Sequence, residues 1–164
     1  MNHFYLDASA HAKLYLEEPG SDKMELLLDS LLTQVGRLVI TSVTLAETVA
    51  VLNQKRNELR VPDHEYALLV ARILTDSERF THWPVHDEDI LNAIPFIVAH
   101  NINSSDALHL HIALRLQSLL ERSKQGSLVL VASDRRLVRA AHAEGLLILN
   151  PQEASAAEIA ALLE

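Results

Sequence analysis

The chain has no cysteine among its 164 residues. Disulfides, thiol catalysis and cysteine-ligated zinc are therefore excluded. It also lacks any apolar run approaching the ~20 residues that span a bilayer. The N-terminus lacks the basic-then-apolar order of a secretory leader. The expectation is a soluble, cytoplasmic protein with no membrane association. No repeat, low-complexity tract or linker interrupts the chain, so residues 1–164 read as one domain, long enough for a real core. Positive charge is scarce too: 14 lysines and arginines face 22 acids, a formal net charge of −8. That balance argues against a general, charge-driven nucleic-acid binder. It leaves room for an enzyme acting on nucleic acid if the acids gather at a metal site and the bases cluster elsewhere.

What is present is an alternation of short apolar runs with helical segments. Phe4-Tyr5-Leu6 reads as a buried strand ending in Asp7, and Ser9–Leu16 as a short helix stopped by Pro19-Gly20. A second helix runs from the Ser21-Asp22 cap to about Leu32, with Leu26, Leu27, Leu31 and Leu32 facing inward. Leu38-Val39-Ile40 is the next strand, followed by a helix over about 43–58 and another from Pro62-Asp63 to about Thr75. Phe80–Val85 forms a strand that Pro84 confines to an edge or shortens. Asp87, Glu88 and Asp89 suit a helix N-terminus, and Pro95 is expected to kink or divide that helix. Asn103-Ser104-Ser105 caps a helix over about 106–120. Leu128–Ala132 is the clearest strand, followed by a helix ending near Gly145, a strand over 146–149 and a terminal helix over 155–164. Apolar strands alternating with helices indicate an α/β fold, a parallel sheet covered on both faces.

Four acids stand where these runs meet turns: Asp7, Glu47, Asp106 and Asp134. Each has a structural explanation beside a functional one. Asp7 and Asp134 follow strands and precede helices, so both suit N-capping. Asp106 falls in a first helical turn, where the dipole favours negative charge. Thr44–Glu47 matches a capping box. If the helix begins just after the strand, however, Glu47 lies one turn in, neighboured by Val43, Ala50 and Val51, with no lysine or arginine at helical spacing. A bound cation then becomes its natural partner, since a carboxylate on an apolar face needs one. Taken together, four acids returning to one sheet rim would repel one another without metal. They offer the oxygen donors that hard divalent ions take.

Leu6-Asp7-Ala8-Ser9-Ala10, Leu45-Ala46-Glu47, Ser105-Asp106-Ala107-Leu108-His109-Leu110 and Ala132-Ser133-Asp134-Arg135-Arg136-Leu137 together resemble the PIN-domain family, and within it the VapC-type toxin ribonucleases. The stretches fall in the family's order and span nearly the whole chain, Asp-Ala-Leu-His-Leu being the most specific. The resemblance implies a three-layer PIN-like fold with a parallel sheet ordered 3-2-1-4-5. It implies an Mg2+- or Mn2+-dependent endoribonuclease, the toxin of a type II toxin–antitoxin pair, neutralised by a cognate antitoxin and forming a homodimer. The catalytic and metal-binding roles carry over onto Asp7, Glu47, Asp106 and Asp134. Two features depart from the pattern: His111 stands where a small residue is expected, and the connector over Ser118–Gly126 is long.

On this reading metal held by Asp7 and Asp106, with Glu47 and Asp134 assisting, polarises an RNA phosphate and acidifies the attacking water. Ser9 and Ser133 support the acids by hydrogen bonding or simply cap helices. Arg135, Arg136 and Arg139, and separately Lys55, Arg56 and Arg60, are candidates for RNA phosphate contacts, against the alternative of solvated helix faces. His109 reads as a buried or supporting residue, and Trp83, Phe80 and Phe96 as core or dimer interface. Three alternatives stand beside this reading. One is a nuclease of the same fold acting on another nucleic acid such as structured DNA, and another is an inert binding module that keeps the fold. The third, a phospho-acceptor signalling domain, needs a late lysine, and none follows Lys124.

Overall fold

A computed structural model spans Met1–Glu164 and describes every residue except 32, 33 and 35. Five strands form one parallel sheet in the order 3-2-1-4-5. They are β1 (Asn2–Leu6), β2 (Leu38–Thr41), β3 (Thr81–Trp83), β4 (Ser127–Val131) and β5 (Leu147–Leu149). Leu6 pairs with Val131, so the carboxyl ends of β1 and β4 lie side by side. The chain steps outward from β1 through β2 and β3, then returns to the other side of β1 as β4. The β1–β4 boundary is thus the point where strand order reverses, where open α/β sheets place their ligands.

The eight helices are α1 (Ala8–His11), α2 (Ser21–Leu31), α3 (Ser42–Leu59), α4 (Asp63–Ser77), α5 (Asp87–His100), α6 (Ser104–Ser123), α7 (Arg135–Ala143) and α8 (Ala156–Leu163), as counted among the described residues. The strands alternate their side chains between two cores, as the two-residue period requires. Phe4, Leu6, Ile40, Val129 and Val131 pack on one side with Met24 and Leu27 of α2 and Ile159 of α8. Tyr5, Val39, Leu128 and Leu130 pack on the other with Leu110 and Ala113 of α6 and Leu137 of α7. Among the described residues no helix is long and apolar enough to cross a membrane.

Several expected elements differ in detail. The first helix is shorter than Ser9–Leu16: α1 gives way to a 3-10 turn over Ala12–Leu14. On α2, Leu27 and Leu31 are buried as expected, but Leu26, about 100° around the helix from Leu27, is 39% exposed. The expectation for Leu32 falls outside the described residues. Pro95 does not divide α5, which runs unbroken from Asp87 to His100. The carbonyl it would leave unpaired belongs to Leu91, one turn earlier, and both residues are exposed, so water can satisfy it. The segment over Ser118–Gly126 is not a long loop, since α6 continues to Ser123 and closes with Lys124 in the left-handed region. Gly126 then turns at φ 108°, where a Cβ would fall 1.8 Å from the Met1 carbonyl oxygen. The edge strand β3 ends at Trp83, immediately before Pro84.

Candidate active site

Asp7 follows the last residue of β1 and caps α1. Its Oδ1 accepts the Ala10 amide at 2.9 Å, and the Ser9 hydroxyl reaches both of its oxygens at 2.8 Å. Ser9 Oγ in turn accepts the Ser133 amide at 2.7 Å, which ties the end of β1 to the turn after β4. Ser9 therefore supports Asp7 directly. Ser133 contributes through its backbone, and its own hydroxyl is buried without a partner among the described residues. Asp7 is 4% exposed. Burial pushes its carboxyl above the usual range, outweighing the hydrogen bonds from Ala10 and Ser9 that pull it down.

Asp106 lies in the first turn of α6, and its amide is capped by Asn103 Oδ1 at 2.7 Å. Its side chain points elsewhere: the residue is 9% exposed, and Oδ2 is buried with no hydrogen-bond partner among the described residues. Burial raises its pKa to about 6, and repulsion from Asp134 and Asp7 adds to the rise against the charge of Arg136. Asp7 and Asp134 thus both bear electrostatically on Asp106 at the strand-order reversal. Asp134 also caps α7, its Oδ1 accepting the amides of Arg136 at 2.8 Å and Leu137 at 3.2 Å. The capping explanation of Asp7 and Asp134 holds, and the same geometry leaves both residues just past the carboxyl ends of β1 and β4.

Glu47 sits where the earlier helix start puts it, outside any capping box. The capping box of α3 is made by Thr41 and Thr44, so Glu47 lies one turn inside the helix. Its partners come from α6: Ser105 Oγ donates to Oε1, and His109 Nε2 lies 2.7 Å from Oε2. His109 is 2% exposed, and its Nδ1 lies 2.6 Å from the Tyr5 hydroxyl. Sequence spacing misses these contacts because Glu47 and His109 stand 62 residues apart. The only cue available is that Asp106 and His109, three apart, share one face of α6. Val43, Ile90, Ile94, Ile97 and Leu108 line an apolar groove of about 330 Å3 that opens beside Glu47.

The basic residues divide. Arg135 and Arg136 are exposed at the start of α7 beside Asp134. Arg139 instead donates to the His100 carbonyl at 2.9 Å, closing the C-terminal end of α5. Arg56 pairs with Asp63 and stacks on Tyr66, Lys55 pairs with Glu58, and Arg60 closes α3 in the left-handed region. That second cluster joins α3 to α4. His111 is likewise accounted for structurally: it lies 3.1 Å from buried Asp89, which Arg115 holds at 2.6 and 2.8 Å. Phe80 is buried, and Trp83 and Phe96 pack against the sheet core.

Among the described residues no three His, Asp or Glu side chains form a ready-made metal cage. The donor set nevertheless fits a hard divalent cation. It presents carboxylate oxygens, with Asp7 and Asp106 buried, Asp106 set against Asp7 and Asp134, and Asp106 Oδ2 unpartnered among the described residues. A cation there would offset both the desolvation and the repulsion.

A family model described as the PIN domain matches residues 4–143. No curated protein sequence matches the chain. Among solved structures, a Pyrobaculum aerophilum protein, PAE2754, is similar with a TM-score of 0.62 at 19% identity, over 97% of this chain and 96% of that one. VapBC-1 from nontypeable Haemophilus influenzae is similar with a TM-score of 0.58 at 13% identity, over 93% of this chain and 100% of that one.

Proposed function

The chain belongs to the PIN-domain family, whose members are generally nucleases that typically use divalent metal ions, and we propose that it is an Mg2+- or Mn2+-dependent endoribonuclease. The observation that carries this reading is that Asp106, with a buried carboxylate oxygen unpartnered among the described residues, is set against the charges of Asp7 and Asp134 at the strand-order reversal. Asp7 and Asp106 would hold the cation, with Asp134 and Glu47 completing the acidic rim. When bound, it supplies Lewis-acid polarisation of the phosphate and a more acidic attacking water.

The remaining chemistry belongs to the chain. Ser9 keeps Asp7 in place, and the Ser133 amide fixes Ser9. Arg135 and Arg136, exposed beside Asp134, are the residues we assign to the RNA phosphates; Arg139 already has a structural task. Similarity to VapBC-1 supports the further reading that the chain is the toxin of a type II pair with a cognate antitoxin. Exposed Ile90, Ile94 and Val98 on α5 leave an apolar surface for that partner or for a second copy in a homodimer.

Purified protein is incubated with equimolar labelled RNA and single-stranded DNA, in Mn2+ and in EDTA. Metal-dependent cuts confined to the RNA are expected. Preferential DNA cleavage would replace the ribonuclease reading with that of a PIN nuclease acting on DNA.

A further inference from the structure

Buried polar groups need partners, and the hydroxyl of Tyr5 is fully buried inside the sheet. Phenylalanine would fill the same space in the strand. The hydroxyl instead meets Nδ1 of His109 at 2.6 Å, and Nε2 of the same ring meets Glu47 Oε2 at 2.7 Å. Proton bookkeeping fixes the direction of this chain. A carboxylate has no proton to give, so Nε2 carries the hydrogen and donates to Glu47. In a neutral imidazole Nδ1 is then the acceptor, and the phenol must donate to it. The other Glu47 oxygen is held by Ser105, the residue before Asp106.

We propose that Tyr5 and His109 are positioning residues for Glu47: a buried relay from β1 through α6 to α3 that fixes the direction of its carboxylate at the acidic rim. This rests on the reading of that rim as a cation site. Without the relay, Glu47 has no cationic neighbour on its own helix and keeps only the Ser105 contact to set its direction. With it, one helix does two tasks, since Asp106 and His109 occupy the same face of α6. Neither Tyr5 nor His109 touches substrate in this assignment. Groups that orient ligand side chains typically change metal affinity 10–100-fold when lost.

The test uses the full chain and Mn2+ as the probe, by isothermal titration calorimetry, with melting in EDTA measured beside it. H109L is expected to weaken Mn2+ binding about 10–100-fold. H109Q, whose amide can still donate towards Glu47, is expected to bind within a few-fold of wild type. Y5F is expected to fall between the two. Variants that melt lower but bind Mn2+ as wild type does would overturn the proposal, leaving the cluster as packing. If the wild type itself binds no Mn2+, the cation-site reading fails, and the relay is judged separately by 15N NMR of labelled histidine in metal-free protein. His109 as the Nε2–H tautomer in wild type, with a mixture in Y5F, supports the relay. An Nδ1–H tautomer in wild type overturns it.

Discussion

Ser9 Oγ stands 2.8 Å from both Asp7 oxygens and accepts the Ser133 amide at 2.7 Å, joining the ends of two adjacent strands through one hydroxyl. Ser9→Ala removes this junction and leaves a partly buried amide unpaired. Stability should fall by about 1–3 kcal/mol, and cleavage should drop on the order of 10–100-fold as Asp7 loses its support. Ser133→Ala is the contrast, because its hydroxyl has no partner among the described residues. That variant should melt within about 0.5 kcal/mol of wild type. Denaturant unfolding and initial cleavage rates of the two variants check both expectations.

Asp106 titrates at about 6 because the fold desolvates it and sets Asp134 and Asp7 against it. In the unfolded chain it should titrate near 4. Between those values the folded protein holds a proton that the unfolded chain has released. Metal-free stability therefore falls as pH rises through this window, by on the order of 2 kcal/mol. Asp106→Asn should remove that slope and raise the metal-free melting temperature at pH 7.5 while abolishing cleavage. Thermal melts in EDTA from pH 4 to 8 read it directly, and a variant that melts lower than wild type at pH 7.5 would contradict it.

His11 gives the opposite slope. It is fully buried, bonded to Thr48 at 2.9 Å and packed against Tyr15 and Phe80, with Nε2 unpartnered. Burial lowers its pKa to about 4, and the Asp76 charge only partly opposes this. Below an unfolded value near 6.5 the unfolded chain takes up a proton that the folded chain refuses. Stability is full above that pH and is lost as pH falls towards 4, by on the order of 3 kcal/mol. Measured in the Asp106→Asn background, which removes the Asp106 part of the opposing slope, His11→Gln should reduce the loss of stability between pH 6.5 and 4.

Asp89 is buried beneath α6. Burial alone would raise its carboxyl, but the His86 amide, Arg115 and His111 outweigh it and hold the group below the usual range. Arg115→Met leaves that charge with too few partners and should cost about 3 kcal/mol. Double replacement, Asp89→Leu with Arg115→Met, should recover much of the loss. Equilibrium unfolding of the single and double variants decides it, and it should leave the Mn2+ affinity untouched.

The strand ends were readable because their apolar runs stop at small and acidic residues. Asp7 and Asp134 therefore fell on the correct rim from spacing alone, and the resemblance supplied the strand order. Glu47 was placed one turn into its helix correctly, yet its partners were missed. A helical wheel sees neighbours three and four residues away, whereas Ser105 and His109 arrive from another helix. Tyr5 read only as an apolar strand residue, because nothing local announces what its hydroxyl meets. That Pro95 leaves its helix undivided was not readable for a related reason. The cost of a missing amide depends on whether the freed carbonyl can reach water, and only the packing of α5 decides that.

Cleavage of a mixed RNA pool is the most direct measurement, with wild type, Asp7→Asn and Asp106→Asn run side by side in Mn2+ and in EDTA. The expected result is cutting by wild type in Mn2+ only, with both variants folded and inactive. Cutting that persists in either folded variant, or that is indifferent to EDTA, would contradict a nuclease built on these acids.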